Sequence, residues 1–386
     1  MRRQARSPRP YATLRARKRP IRPDTSSSST AASRPRRRSL PGMNVAPADL
    51  HYPFAPPEFG EVVAIAPGLL WTRLALPFAL DHLNVFILDD GDGWTVVDCG
   101  AATAETEAAW RKLLDGPLAG RPVSRLVATH GHTDHVGFAG PLTALLDAPF
   151  LSSRSEWTSA VIRRLETVEG LRGPAGRFYE SHGCPDALVE GFLAERARSA
   201  SLIAEMPPAF VRIAEGDVLA FGGRRWRVMI FGGHAQEHCV FWSESDRIMI
   251  AGDQILPRIT PQIGVNYSEP EADPLTEFLA SLRVLGSFDE DVLVLPGHGL
   301  PYRGPGIRAR QLEAHHASRL AAIATACDGE PTTFDVAIRL FPQAMRKAHA
   351  RFAVAETLAH LNHLVGTGRL ARSRAADGRI RFRPSR

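Results

Sequence analysis

The chain has 386 residues, 44% of them apolar, which is enough for one large or two ordinary domains with a real core, and no run approaches the roughly 18 apolar residues of a membrane span. The formal net charge of +6 belongs to the ends: residues 1–43 carry 13 Lys and Arg against Asp24, residues 367–386 carry seven Arg against Asp377, and the stretch between holds 27 basic and 39 acidic residues. Only those ends make an electrostatic case for nucleic acid or anionic lipid.

Residues 1–43 are rich in Arg, Ser and Pro and show no helical period. Such a segment cannot bury enough surface to offset its ordering entropy, so it is expected to be a disordered basic tail, or an over-extended start with Met43 as the first residue. Cys99, Cys184, Cys239 and Cys327 are scattered without C-x-x-C spacing. They fit reduced thiols in a cytoplasmic protein rather than a disulfide framework.

From Glu61 the pattern is strand-like, with short apolar runs at 62–65, 69–72, 84–88 and 95–97 separated by Gly, Asp and Pro. The last run ends in Asp98-Cys99-Gly100, and a helix is expected over about 102–115. A strand over 125–129 leads into Thr129-His130-Gly131-His132-Thr133-Asp134-His135, and a helix follows over 138–146. Residues 152–205 are helical by period, with many Arg and Glu, and read as an insertion. Trp157, Phe178, Tyr179 and His182 are candidates to line a cleft there, or simply to pack the insertion onto the body. Strands return at 225–230, before Gly233-His234, then at 239–242, and at 247–251, before Gly252-Asp253. A helix over 273–285 has Asp273 as its N-cap, Pro274 in its first turn and Gly286 as its stop. A last strand, 291–295, ends in Pro296-Gly297-His298-Gly299.

Three histidines and a carboxylate at one strand end have no packing rationale. They do have a metal-binding one, because neutral imidazole and carboxylate suit zinc and its neighbours. His130 and His132 can point the same way from extended chain, and Asp134 and His135 fall where the chain turns toward a second ion. Five apolar runs end in Asp98, the 130–135 cluster, His234, Asp253 and His298. Strands of one sheet bring such ends to a common edge.

With these motifs in this order over about residues 60–300, the sequence resembles the metallo-β-lactamase superfamily. The resemblance implies an α/β fold, an αββα sandwich with the metals at one edge. It implies a binuclear zinc hydrolase, with iron and manganese also compatible, whose metal-bridging hydroxide attacks the substrate. His130, His132 and His234 would hold the first metal, Asp134, His135 and His298 the second, and Asp253 would bridge them. Asp134 would also orient the hydroxide, and Asp98 would orient a ligand by hydrogen bond. His238 would serve in the second shell or on the substrate, with a purely structural role as the alternative. Arg258, Thr260 and Gln262 follow Asp253 closely enough to be candidates for a substrate's polar group. Asp253 and His298 depart from lactamases with a cysteine in the second site, and the chain after His298 lacks the glutathione-binding tail of glyoxalase II.

Residues 44–306 would form the catalytic domain and 307–386 a small α+β domain. Helices are expected at 307–327, 333–340 and 352–365, with His315 and His316 as surface or inter-domain residues. A hairpin follows around Asp377-Gly378. Three helices and a hairpin resemble the winged-helix-like domain of one branch of the superfamily, which includes an endoribonuclease-type member. Arg372, Arg374, Arg379, Arg381 and Arg383 make the hairpin basic. They could contact phosphate, or the wing could be solvated and packed on the body or on a second copy in a homodimer. The expected function is hydrolysis of a small ester or thioester, with no membrane partner. A metal-dependent endoribonuclease is the alternative, and β-lactam hydrolysis is less favoured.

Overall fold

The computed structural model describes residues 50–345 and 349–385. The expected basic tail and Met43 lie outside the described residues. The first sheet has seven strands lying side by side in chain order: β1 (Val62–Ala66), β2 (Leu69–Ala75), β3 (His82–Asp89), β4 (Trp94–Val97), β5 (Val123–Val127), β6 (Phe150–Ser152) and β7 (Val211–Arg212). The second has six, also adjacent in chain order: β8 (Val218–Phe221), β9 (Arg224–Phe231), β10 (His238–Ser243), β11 (Ile248–Gly252), β12 (Leu293–Pro296) and β13 (Tyr302–Arg303).

Period-two alternation decides how the sheets stack. On β3, Phe86 and Leu88 face β9 and β10 residues Trp226, Val228 and Phe241 in the apolar layer between the sheets. Val85 and Ile87 point the other way, onto Trp110 of α1 (Ala104–Asp115) and Leu142 of α3 (Ala139–Leu146). On the far side, Val240, Met249 and Val294 meet Leu275, Phe278 and Leu282 of α8 (Pro274–Leu285). Both faces of each sheet are thus covered, giving helix, sheet, sheet, helix. The α8 boundaries behave as their residues require: the Asp273 side chain accepts from the Thr276 backbone N–H, Pro274 opens the helix and Gly286 closes it.

The pairs β4–β5 and β11–β12 are parallel. Parallel neighbours need crossovers, and these put the loops after β4, β5, β11 and β12 at one end. The one-turn helix α2 (Thr133–Val136) lies in the loop after β5. Four helices separate β6 from β7: α4 (Arg154–Arg164), α5 (Val168–Arg172), α6 (Pro174–Ser181) and α7 (Asp186–Ala200). All four fall within residues 152–205, the stretch that is helical by period.

The chain after β13 forms α9 (Pro305–Ala326), α10 (Thr333–Leu340), α11 (Pro342–Met345) and α12 (Ala350–Gly366), then the hairpin β14 (Leu370–Arg374) and β15 (Ile380–Pro384). Leu320, Val336, Leu358, Leu370 and Phe382 share one apolar cluster with α8 and with Leu171, Tyr179 and Phe192 of the insertion. Among the described residues no helix is long and apolar enough to cross a membrane. The four cysteines are buried and free.

Candidate metal centre

Beyond β5 the chain stays extended up to His132, at φ −73° and ψ 153°, and then turns into α2. His130 and His132 therefore project together. His130 Nε2 lies 2.9 Å from His132 Nδ1 and 3.3 Å from His234 Nε2. The α2 turn carries Asp134 and His135 to the other side. Asp134 Oδ2 is 3.2 Å from His298 Nε2, and Asp253 Oδ2 is 3.2 Å from the same nitrogen. Asp253 also stands 3.5 Å from His135 Nε2 and 3.6 Å from His234 Nε2, so it reaches both histidine groups. All seven residues expected as ligands come together, in three overlapping groups that could each hold a metal ion.

The donor set fits cations. His135 Nε2, His298 Nε2 and Asp253 Oδ1 are buried without a hydrogen-bond partner among the described residues. Such groups are rare because each loses its hydration for nothing. Their other ring nitrogens are tied from behind. His298 Nδ1 donates to the His82 carbonyl at 2.6 Å, His234 Nδ1 to the Gln262 carbonyl at 3.0 Å, and His135 Nδ1 pairs with Asp98 at 2.8 Å. Each tie fixes the ring and turns Nε2 inward.

Charge divides the site in two. Burial, then the neighbouring histidines, holds His130 well below the usual histidine range. Burial and then His234 do the same to His132. For His298 burial also opposes charge, but Asp253 and Asp134 outweigh it and its pKa rises to about 10. His135 rises for the same reason, against burial, through Asp253, Asp98 and Asp134. Asp134 and Asp253 are pushed down, because His135 and His298 outweigh their burial. One half thus offers neutral imidazoles and the other ionised carboxylates.

Asp98 sits at φ 63°, a left-handed conformation that aspartate tolerates better than most residues. Its carboxylate accepts from the Thr129 backbone N–H and hydroxyl, both at 2.8 Å, as well as facing His135. Gly297 is required by close approach: a Cβ there would fall 2.3 Å from Asp253 Oδ1. Gly252, at φ +47°, would push a Cβ to 2.7 Å from His238 Cε1.

His238 is fully buried. Its Nε2 accepts from the Asp253 backbone N–H at 3.1 Å, and its ring stacks on His130 at 4.6 Å. It offers no surface to a substrate. Arg258 is exposed and lies over the Tyr52 ring at 5.5 Å. Thr260 is buried. Gln262 serves the site through its carbonyl, on His234. The candidate cleft aromatics are packing residues. Trp157 stacks on Phe210 and donates to the Pro207 carbonyl, while Phe178 and Tyr179 lie in the apolar cluster. His182 bonds the Thr333 hydroxyl at 2.9 Å. His316 is buried, 3.1 Å from His360 and edge-on to the Phe278 ring of α8 at 5.5 Å.

Three supporting residues escaped the sequence reading. Asn84 donates to the Pro296 and Gly299 carbonyls and accepts from the Trp71 ring, so β3 clamps the His298 turn. His82 adds its carbonyl on His298 and accepts from the Gly299 N–H. Glu156 of α4 is buried and accepts from the backbone N–H of Gly131, between the two histidines, and from that of Glu237. His82 and Asn84 are polar interruptions flanking an apolar strand start, the one signal that could have exposed them.

Residues 80–298 match the model of the metallo-beta-lactamase superfamily, and residues 320–385 match that of a metallo-beta-lactamase-like C-terminal domain. A beta-lactamase domain protein from Burkholderia ambifaria is 35% identical, with a TM-score of 0.80 over 89% of this chain and 99% of that one. The metallo-beta-lactamase family protein TTHA1429 from Thermus thermophilus is 28% identical, with a TM-score of 0.71 over 83% and 100%. A probable metallo-hydrolase of Bacillus subtilis (strain 168), YqjP, is 25% identical over 76% of this chain and 90% of its own length. Matched in sequence, architecture and histidine–aspartate centre, this chain belongs to the metallo-beta-lactamase superfamily.

Proposed function

We propose that this metal-dependent hydrolase holds two divalent ions, zinc before iron or manganese, and cleaves a small ester or thioester. The observation that carries the reading is the convergence of all seven donors in three overlapping groups. His130, His132 and His234 would hold one ion, Asp134, His135 and His298 the other, with Asp253 between. Bound there, such ions supply Lewis acidity and lower the pKa of water toward about 7.

The chain's own contribution centres on Asp134. Its side chain is 19% exposed against 8% for Asp253 and 4% for Asp98, so it is the carboxylate a water and a substrate can reach. Held ionised by its histidine neighbours, it accepts a hydrogen bond from the attacking water and so orients it. Water adds to the acyl carbon, the alcohol or thiol leaves with a proton, and a carboxylic acid remains. Asp98 and His238 hold His135 and Asp253 in place for this.

The C-terminal hairpin supports a small substrate over RNA. Arg372 is paired with Glu271, Arg381 with Asp377 and Arg383 with Glu330, while Arg374 donates to the Gly378 carbonyl. Four of the five hairpin arginines thus have local partners that compete with phosphate. The test is a turnover panel on zinc-loaded protein with an acyl thioester, a lactone, a β-lactam and single-stranded RNA, each repeated with Asp134→Ala. Thioester or lactone cleavage that disappears in the variant, together with a drop in bound zinc, is the expected result. RNA cleavage lost in the variant, with both small esters untouched, would overturn the reading.

A further inference from the structure

Residues 253–262 touch three parts of the metal centre. Asp253 opens the stretch, directly after β11. Pro257 presses on the turn that follows His298: a Cβ on Gly299 would fall 2.8 Å from the Pro257 Cγ. Gln262 closes the stretch and accepts from His234 Nδ1 at 3.0 Å. Only Arg258 of the stretch is exposed, and buried backbone must find partners. Tyr302 of β13 donates its hydroxyl to the Ile255 carbonyl at 3.3 Å. Arg308 of α9 donates through Nε to the Leu256 carbonyl at 2.6 Å and through Nη2 to the Ile259 carbonyl at 2.8 Å.

Packing does not explain Arg308. It is fully buried, and its third hydrogen bond goes to the Gln311 amide oxygen at 3.2 Å, so the partners of this guanidinium are two carbonyls and an amide, all neutral. It stands in the first turn of α9, where the helix dipole disfavours a cation. A buried charge without a counter-charge is costly, and an apolar side chain of the same size would fill the space without that cost. What an apolar side chain cannot do is hold two carbonyls, three residues apart, in one plane; a guanidinium fork can. Pro257 lies between the two held carbonyls, and Pro261 lies between Ile259 and Gln262. Each proline locks its own φ, so the constraint set at Leu256 and Ile259 is carried on to the Gln262 carbonyl.

We propose that Arg308 is a positioning residue of the metal centre: by holding the Leu256 and Ile259 carbonyls from α9 it sets the Gln262 carbonyl, and that carbonyl aims the His234 ring. The inference rests on the reading of His234 as a metal ligand. It touches neither metal nor substrate, and it makes the helix that follows the catalytic sheets part of the apparatus that orients a ligand.

The experiment uses the full-length chain and two substitutions. Arg308→Met fills the space without a donor. Arg308→Lys keeps the charge but, as a point donor, cannot hold both carbonyls in one plane. In metal-free protein labelled with 15N-histidine, the His234 Nδ1–H signal, identified by its loss in His234→Gln, reports the bond to Gln262. Its exchange with solvent should quicken in Arg308→Met and less so in Arg308→Lys. In cobalt-loaded protein the visible d–d bands should shift in the same order, and chelator competition should show about 10-fold weaker cobalt binding in Arg308→Met. A residue that only buttresses the fold would lower Tm and leave the ring N–H and the bands as they are in the wild type, and that result overturns the proposal. If Arg308→Met does not fold, Arg308→Lys decides by the same two readouts. If the wild type takes up no cobalt, the metal reading fails, and the ring N–H judges the positioning alone: faster exchange upholds it and unchanged exchange rejects it.

Discussion

The fine positioning of the centre is done by residues that do not face it. Asp98 accepts three hydrogen bonds, one of them from His135. Asp98→Asn keeps the shape but must turn an amide N–H2 toward a donor. The expected effect is about 10- to 100-fold weaker binding of the metal ion that His135 would hold, read by chelator competition. Zinc affinity equal to the wild type would show that His135 needs no such brace. Asn84 is a second case. Asn84→Ala removes two bonds to the His298 turn and leaves the buried Trp71 N–H unpaired. A loss of about 2–4 kcal/mol is expected in denaturant unfolding. Both residues lay outside the legible motif for one reason: a histidine declares itself by type and spacing, whereas Asn84 acquires its role from Pro296, 212 residues away.

Among the elements, α4 joins the insertion to the metal loop through the Glu156 carboxylate, and α7 does so through Ser199 on the Thr133 hydroxyl. Burial raises the Glu156 pKa, against the two backbone N–H groups that favour its ionised form. In Glu156→Gln one of those N–H groups would face an amide N–H2. A stability loss of about 1–3 kcal/mol is expected, with faster amide hydrogen exchange at Gly131. Unchanged exchange there would disconnect the insertion from the centre. The helical character of this insertion was legible from period and breaks, as was α8 from its cap residues. Which face of α4 meets the histidine loop was not, because the contact pairs Glu156 with backbone, and backbone carries no sequence signal.

In the molecule as a whole, the C-terminal helices and the catalytic body share one core, and an acid lies within it. Glu356 is 8% exposed, and burial raises its pKa to about 7, against the pull of Arg319. The folded state therefore binds a proton that the unfolded chain, titrating near 4.5, releases. Stability contributed by the neutral form is present below about pH 4.5 and is lost as pH rises toward 7, on the order of 3 kcal/mol in all. Glu356→Gln should melt higher than the wild type at pH 8 and no higher at pH 4.5. The same Tm at pH 8 would place the charge in a better solvated setting. Removing the metals acts on the same scale: chelation should lower Tm, because ions bound only by the folded state stabilise it by mass action.

The sequence by itself determined most of the longer strands and helices, though not the short β6, β7, β8 and β13, along with the metal-ligand residue types and the strand ends that carry them. Those depend on local period, turn residues and residue type, all of which are written along the chain. Only the tertiary structure decided that His238 lies buried against the Asp253 backbone, that Arg258 lies over the Tyr52 ring, and that the insertion aromatics pack a core. These are properties of what surrounds a side chain, and the surroundings come from strands and helices that meet only when the two sheets close on each other.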